Sequence, residues 1–302
     1  MSPVSSRYVF LLVVLGAIWG SSYLFIKIGV RDLSPAALIE LRLLCAAPIL
    51  IAFAWRRYGR EALLRAWRPG IVLAVLNAAV PFTLIAWGEK WVDSGTAAVA
   101  NSSVPIFVAL LAVFFVPSER STGWRLVGVL LGLVGVSVLA GVHPQGGWHG
   151  TIGIAAIVVA SVSYAAANLY AGRRMSAGGP VLAAVSMGGA FVLLLPLALA
   201  TLPAHAPGWK SVGSGAALGL LGTALAQILS YRMIRLYGSS RSVLVAYMLP
   251  AFALFYGTLF GEPLTVEKLA GLVLISGGVA LGSGALRVAS GRVRRAAARE
   301  PV

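Results

Sequence analysis

The sequence predicts an all-α polytopic membrane protein: ten transmembrane helices arranged as a 5+5 inverted-topology repeat. Three observations lead there. Of the 302 residues 59% are hydrophobic and only 11% charged, whereas soluble domains carry about a quarter charged residues. The apolar residues gather in runs close to the roughly 20 residues that cross a hydrocarbon core. The second half also falls on the first at an offset near 145, where Pro35 meets Pro180, Pro105 meets Pro250 and Trp19 meets Tyr164. Slightly shorter offsets align Trp87 with Tyr231, Glu119 with Glu262, Gly128 with Gly271 and Gly135 with Gly278. Five spans per half is an odd number, so the halves enter the membrane from opposite sides, as in carriers built on inverted repeats.

The ten runs read as 8–28, 35–55, 69–88, 95–116, 123–142, 150–171, 180–201, 212–234, 241–261 and 267–287. The first holds Trp19, Ser22 and Tyr23 at i+3 and i+4 spacing, with Lys27 near its outer end. The second opens at Pro35 and carries Glu40, Arg42 and the single Cys45, so no intrachain disulfide can form. The third offers Asn77, Pro81 and Trp87; the fourth has Asn101 and Ser102 one turn before Pro105. The fifth and tenth carry GxxxG patterns, Gly128 with Gly132 and Gly278 with Gly282, which let helix backbones approach closely and suit a scaffold or a dimer contact. The sixth repeats the first with Ser161, Tyr164 and Asn168, and the seventh opens at Pro180 with Met187 in the place of Arg42. The eighth places Thr223, Gln227 and Tyr231 on one continuous face, and the ninth sets Tyr247 before Pro250. These two halves, 9–142 and 153–285, leave only a basic tail, 288–302.

The net charge of +15 is distributed by side. With the N-terminus in the cytoplasm, 18 of the 24 Lys and Arg fall inside and four (Arg31, Lys90, Lys210, Lys268) outside. That bias predicts a multi-pass protein of the cell membrane with both termini cytoplasmic. The tail is expected to lie near anionic lipid. No basic face is interleaved with aromatics, so nucleic acid is not an expected partner. The first run is of near spanning length and holds polar and aromatic residues at its centre, so a cleaved signal peptide is not expected.

Polar side chains within a bilayer are costly and usually face protein or a water-filled cavity. The stripes recur in both halves, which predicts one central cavity lined by Trp19, Tyr23, Asn77, Trp87, Asn101, Tyr164, Asn168, Gln227, Tyr231 and Tyr247. The alternative is that these groups hydrogen-bond between helices as packing contacts. Pro105 and Pro250 each remove a backbone hydrogen bond in mid-span and are expected to act as helix hinges. Aromatic walls with amides and hydroxyls between them suit a small organic molecule rather than a bare ion. Lys27, Glu40 and Arg42 are expected to form an ion pair or gate, with Lys27 the first choice of partner for Glu40. A binding charge for a substrate carboxylate is the other reading of this group, and Glu40 is the one acid well inside a span.

Several segments carry a resemblance. Trp19-Gly20, the FIK ending at Lys27, PAALIELR from Pro35 to Arg42 and GTAAVANSSVPIFVALLAVFF from Gly95 to Phe115 resemble the first repeat of the drug/metabolite transporter superfamily, in its EamA-type ten-span branch. GEPLT from Gly261 to Thr265 and GLVLISGGVAL from Gly271 resemble that branch's closing signature. VPSER around Glu119 departs from the usual Gly-Glu. The resemblance implies a secondary transporter, an exporter or exchanger of small metabolites such as amino acids, nucleobases or drug-like compounds. It implies no cofactor, and either a monomer or a homodimer.

Other functions fit less well. No GxSG tetrapeptide occurs, the only aspartates, Asp32 and Asp93, lie at loop edges, and His143, His149 and His205 are all in loops. An intramembrane protease or a buried metal site therefore lacks its residues. A receptor or structural membrane protein is the remaining alternative.

Overall fold

The computed structural model describes residues 6–115, 124–141, 147–172, 178–238, 242 and 244–282. The basic tail and Glu119 lie outside the described residues. The helices are α1 (Ser6–Gly29), α2 (Pro35–Tyr58), α3 (Trp67–Gly88), α4 in two pieces (Ser94–Asn101 and Val104–Phe115), α5 (Trp124–Gly141) and α6 (Gly147–Gly172). They continue with α7 (Gly179–Ala200), α8 (Trp209–Tyr237), α9 (Val245–Leu259) and α10 (Val266–Gly282). A short helix, Arg60–Arg65, joins α2 to α3. Among the described residues, seven helices are long and apolar enough to cross a membrane: α1 to α4 and α6 to α8. The apolar segments Leu126–Leu139 and Val245–Leu259 are shorter.

Local chemistry sets the ends. Ser34 caps α2, its Oγ accepting from Ala37 N at 3.1 Å, and Pro35 occupies the first turn, where its missing N–H costs nothing. Gly59 ends α2 at φ 81°, a conformation that penalises any Cβ. Large apolar side chains such as Phe10, Leu130, Val192 and Val273 point outward, as expected of helices facing hydrocarbon. Trp55, Trp67, Trp91, Trp148 and Trp209 are exposed at or near helix ends, the usual position of an interfacial aromatic belt.

The packing follows a pattern between the halves. α2 packs on α7, α5 on α10 and α4 on α9; α1 packs on α9 while α6 packs on α4. α1 and α9 approach closely because a Cβ at Gly20 would lie 2.5 Å from Phe252 Cβ. At Gly278 a Cβ would lie 2.5 Å from the Gly128 carbonyl oxygen and 2.7 Å from Gly132 N. The two glycine patterns are therefore used against each other within the chain.

Among the described residues, two helices contain a π-helical segment, Val75–Ala79 in α3 and Leu218–Leu225 in α8. Their starts are 143 residues apart, an offset of the sequence repeat. The wider turn frees carbonyls for side chains: Thr223 Oγ1 donates to Leu218 O at 2.9 Å, and Ser163 Oγ on α6 donates to Leu76 O at 2.8 Å.

Candidate functional site

Between the halves lies a cavity of about 1000 Å³. Trp19, Tyr23, Asn77, Asn101, Tyr164, Asn168, Gln227, Tyr231 and Tyr247 all line it, together with Pro105 and Pro250. Trp87, expected among them, is not on the wall. It sits in the last turn of α3 with 36% of its surface exposed. Phe82 and Ile85 represent this part of α3 at the cavity instead.

The polar groups of the wall are partly joined to one another. Asn101 Nδ2 donates to Tyr23 Oη at 2.8 Å, and Ser161 Oγ donates to Asn101 Oδ1 at 3.1 Å, so α1, α4 and α6 meet at one amide. The Tyr164 ring stands edge-on to Phe82, centroids 6.4 Å apart. The π segments supply Asn77 and Thr223 to the wall.

The two prolines behave differently. α4 is interrupted at Ser102–Ser103, just before Pro105, which has no N–H to offer the Asn101 carbonyl. Pro250 sits inside an unbroken α9. Of the two expected hinge prolines, Pro105 follows an interruption of its helix and Pro250 does not.

The expected pairing of Lys27 with Glu40 is not formed. Lys27 Nζ donates to the backbone carbonyls of Glu89 and Val92, both at 2.7 Å. The carbonyls of Glu89 and Val92, at and just beyond the C-terminus of α3, have no helical partners, and the ammonium satisfies both. Both Glu40 carboxylate oxygens are buried without a hydrogen-bond partner among the described residues. Arg42 turns the other way: its Nε donates to Thr223 Oγ1 at 2.7 Å, its Cζ lies 3.7 Å over the Phe82 ring, and the residue lines the cavity.

Sequence reasoning missed Glu89. It follows α3 directly, is fully buried, and neither carboxylate oxygen has a partner among the described residues. Burial pushes its carboxyl well above the ordinary value of 4.5; Lys27 pulls the other way and Glu262 pushes up again. Lys90 and Asp93 place this stretch in an outer loop by sequence, which gives no sign that Glu89 is buried. Only its closeness to Lys27, a basic residue needing a partner, could have signalled burial.

At this same end, polar bridges tie one half to the other. Glu262 accepts from Ser94 N at 2.9 Å, Ser94 Oγ at 2.9 Å and Gly95 N at 3.2 Å, closing the N-terminus of α4. Lys268 Nζ binds Asp93 Oδ2 at 2.8 Å. Asp32 Oδ2 accepts from Ser211 Oγ at 2.7 Å and Gly208 N at 3.1 Å, and Ser34 meets Thr201 at 2.8 Å. None of these residues lines the cavity, which instead follows the later turns of α6 and α8 and the first turns of α7 and α9.

Apolar helices of spanning length around an internal cavity define a polytopic membrane protein, and its relatives define it as a transporter. The EamA-like transporter family model matches residues 6–141 and again 151–283. The chain belongs to that family. It is 31% identical over 271 residues to the uncharacterized inner membrane transporter YedA of Escherichia coli (strain K12), covering 87% of this chain and 85% of that one. It is 27% identical over 282 residues to a probable amino-acid metabolite efflux pump of Salmonella typhimurium, covering 89% and 92%. A crystal structure at 19% identity superposes with a TM-score of 0.65 over 94% of this chain and 98% of the other, a likeness of fold.

Proposed function

We propose that the chain is a secondary transporter, an exporter or exchanger of small organic metabolites, working by alternating access through a 5+5 inverted repeat of ten helices. The observation that carries this reading is the cavity of about 1000 Å³ at the interface of the halves, walled by aromatic rings, amides and hydroxyls drawn from both. Its size matches sites for small organic molecules. The family model's two matches support the repeat, as do the paired π segments and the exchange of partners between α1 with α9 and α6 with α4. In this reading both termini lie in the cytoplasm, and the cavity faces that side.

Alternating access requires a closed end and an open end that can exchange. The bridges Glu262 to Ser94, Lys268 to Asp93, Asp32 to Ser211 and Ser34 to Thr201 join the halves at the end away from the cavity's mouth. In this reading they form the outer closure and separate when the halves rock. The efflux-pump relative puts amino-acid metabolites among the candidate substrates.

The test is expression in cells, with untargeted comparison of metabolites in cells and medium, followed by counterflow of each hit in proteoliposomes. The expected result is one class of metabolite lost from cells and exchanged by the purified protein. A protein that binds such a compound and moves none across liposomes would be a receptor.

A further inference from the structure

Among the described residues that line the cavity, Arg42 is the sole ionisable acid or base other than tyrosine, and it is only 7% exposed. No carboxylate lies within ion-pair distance of it among the described residues. Burying a lone guanidinium is costly, and such charges are normally compensated. Here the compensation in the protein is partial. Nε is held by Thr223 Oγ1 at 2.7 Å, and one face of the group is covered by Phe82 at 3.7 Å. Thr223 is itself fixed, donating to the Leu218 carbonyl within the π segment. These contacts orient the guanidinium by its Nε and by one face. They leave the terminal Nη1 and Nη2 edge with no acceptor among the described residues.

Two parallel N–H donors in a rigid plane match the two oxygens of a carboxylate. A single positive charge neutralises a single negative one; a phosphate dianion would keep an uncompensated charge in a low-dielectric cavity. Among the described residues the lining contains no Asp or Glu, so an ammonium meets no ionic partner among them. The rest of the wall, Trp19, Tyr23, Phe82, Tyr164 and Tyr231, suits a flat apolar body.

We propose that Arg42 is the anion anchor of the cavity, and that the cargo class is organic monocarboxylates with an apolar or aromatic body, whose amino group is dispensable. The proposal rests on the transporter reading above for the word cargo, but the anchor itself is a binding site and can be tested without flux.

The probes are phenylacetate, phenylalanine, phenylacetamide, phenethylamine and inorganic phosphate. Binding to the detergent-purified full chain is read by tryptophan fluorescence and thermal shift, and movement by counterflow in proteoliposomes. Phenylacetate is expected to bind at least as tightly as phenylalanine. The amide and the amine should bind at least about ten-fold more weakly, the loss of a charge-assisted contact. Arg42→Gln should remove that preference, and Arg42→Lys should keep part of it, since the charge remains while the planar fork is lost. If Arg42→Gln does not fold, the wild-type ranking of the probes still decides. Equal binding of amide or amine, tighter binding of phosphate, an unchanged preference in a folded Arg42→Gln, or no binding of any probe overturns the anchor. Carboxylates that bind and do not move leave the anchor standing and remove the transporter reading. Amide or amine that moves while carboxylates are excluded does the reverse.

Discussion

Arg42 on α2 and Thr223 on α8 join the two halves of the chain through a hydrogen bond of 2.7 Å at the wall of the cavity. The guanidinium is buried, so the hydroxyl supplies part of the solvation that water would give. Thr223→Val keeps the volume and removes the acceptor. A hydrogen bond to a charged group contributes about 1.5–3 kcal/mol, and thermal unfolding in detergent should show a lower midpoint for the variant. An unchanged midpoint would mean that the pair is not formed.

Lys27 and Glu40 are predicted to act independently. Lys27 Nζ holds two carbonyls, so Lys27→Met should lose at least about 2 kcal/mol of stability. Glu40→Gln removes no hydrogen bond among the described residues and should unfold at a midpoint no lower than wild type, since it removes an unpaired buried acid. In the double variant the two effects should add. Rescue of Lys27→Met by Glu40→Gln beyond that sum, measured as recovery of folded protein, would restore the ion pair that the sequence suggested.

Close packing of α5 on α10 rests on Gly278. The atoms a Cβ would meet are backbone atoms of Gly128 and Gly132, which cannot turn aside. Gly278→Ala should therefore cost about 1–3 kcal/mol by forcing the helices apart. Gly277→Ala is the control, since its nearest neighbour, Leu131 Cδ2, would be 3.7 Å away. Equal stability of the two variants would refute the close contact.

Glu89 gives the stability a pH dependence of definite sign. Its carboxyl is raised in the folded state, so the folded chain holds a proton that the unfolded chain releases above about 4.5. Stability contributed by the neutral acid is complete below that value and declines as pH rises toward the folded value. Thermal unfolding from about pH 5 to 9 should fall more steeply for wild type than for Glu89→Gln. Parallel curves would show that the group does not bind a proton on folding.

Much of the cavity was legible because helical spacing is a rigid rule over a turn or two. Ser161, Tyr164 and Asn168 on α6 share a face with no irregularity between them, and Trp19 and Tyr23 do so on α1. Trp87 failed for a physical reason. Asn77 lies inside the π segment Val75–Ala79, and Trp87 follows it by ten residues, roughly 1000° of rotation even in a regular helix, so the two do not share a face. On α8 the stripe from Thr223 to Tyr231 begins near the end of its π segment and keeps its face. Lys27 failed differently. Composition lists carboxylates as partners for a lysine, whereas the loose carbonyls at a helix end appear only once the chain is folded. Arg42 was visible as a buried charge, but not the direction in which it turned.

The measurement that bears most directly on alternating access is the two-sided accessibility of one cavity position. Gln227 lines the cavity, and Cys45 is the only native cysteine. Gln227→Cys in a Cys45→Ser background, in right-side-out and inside-out vesicles, is treated with a membrane-impermeant maleimide. The account predicts labelling from either side, because the same residue faces each compartment in turn. Labelling from one side only, in vesicles whose protein is folded, would contradict it.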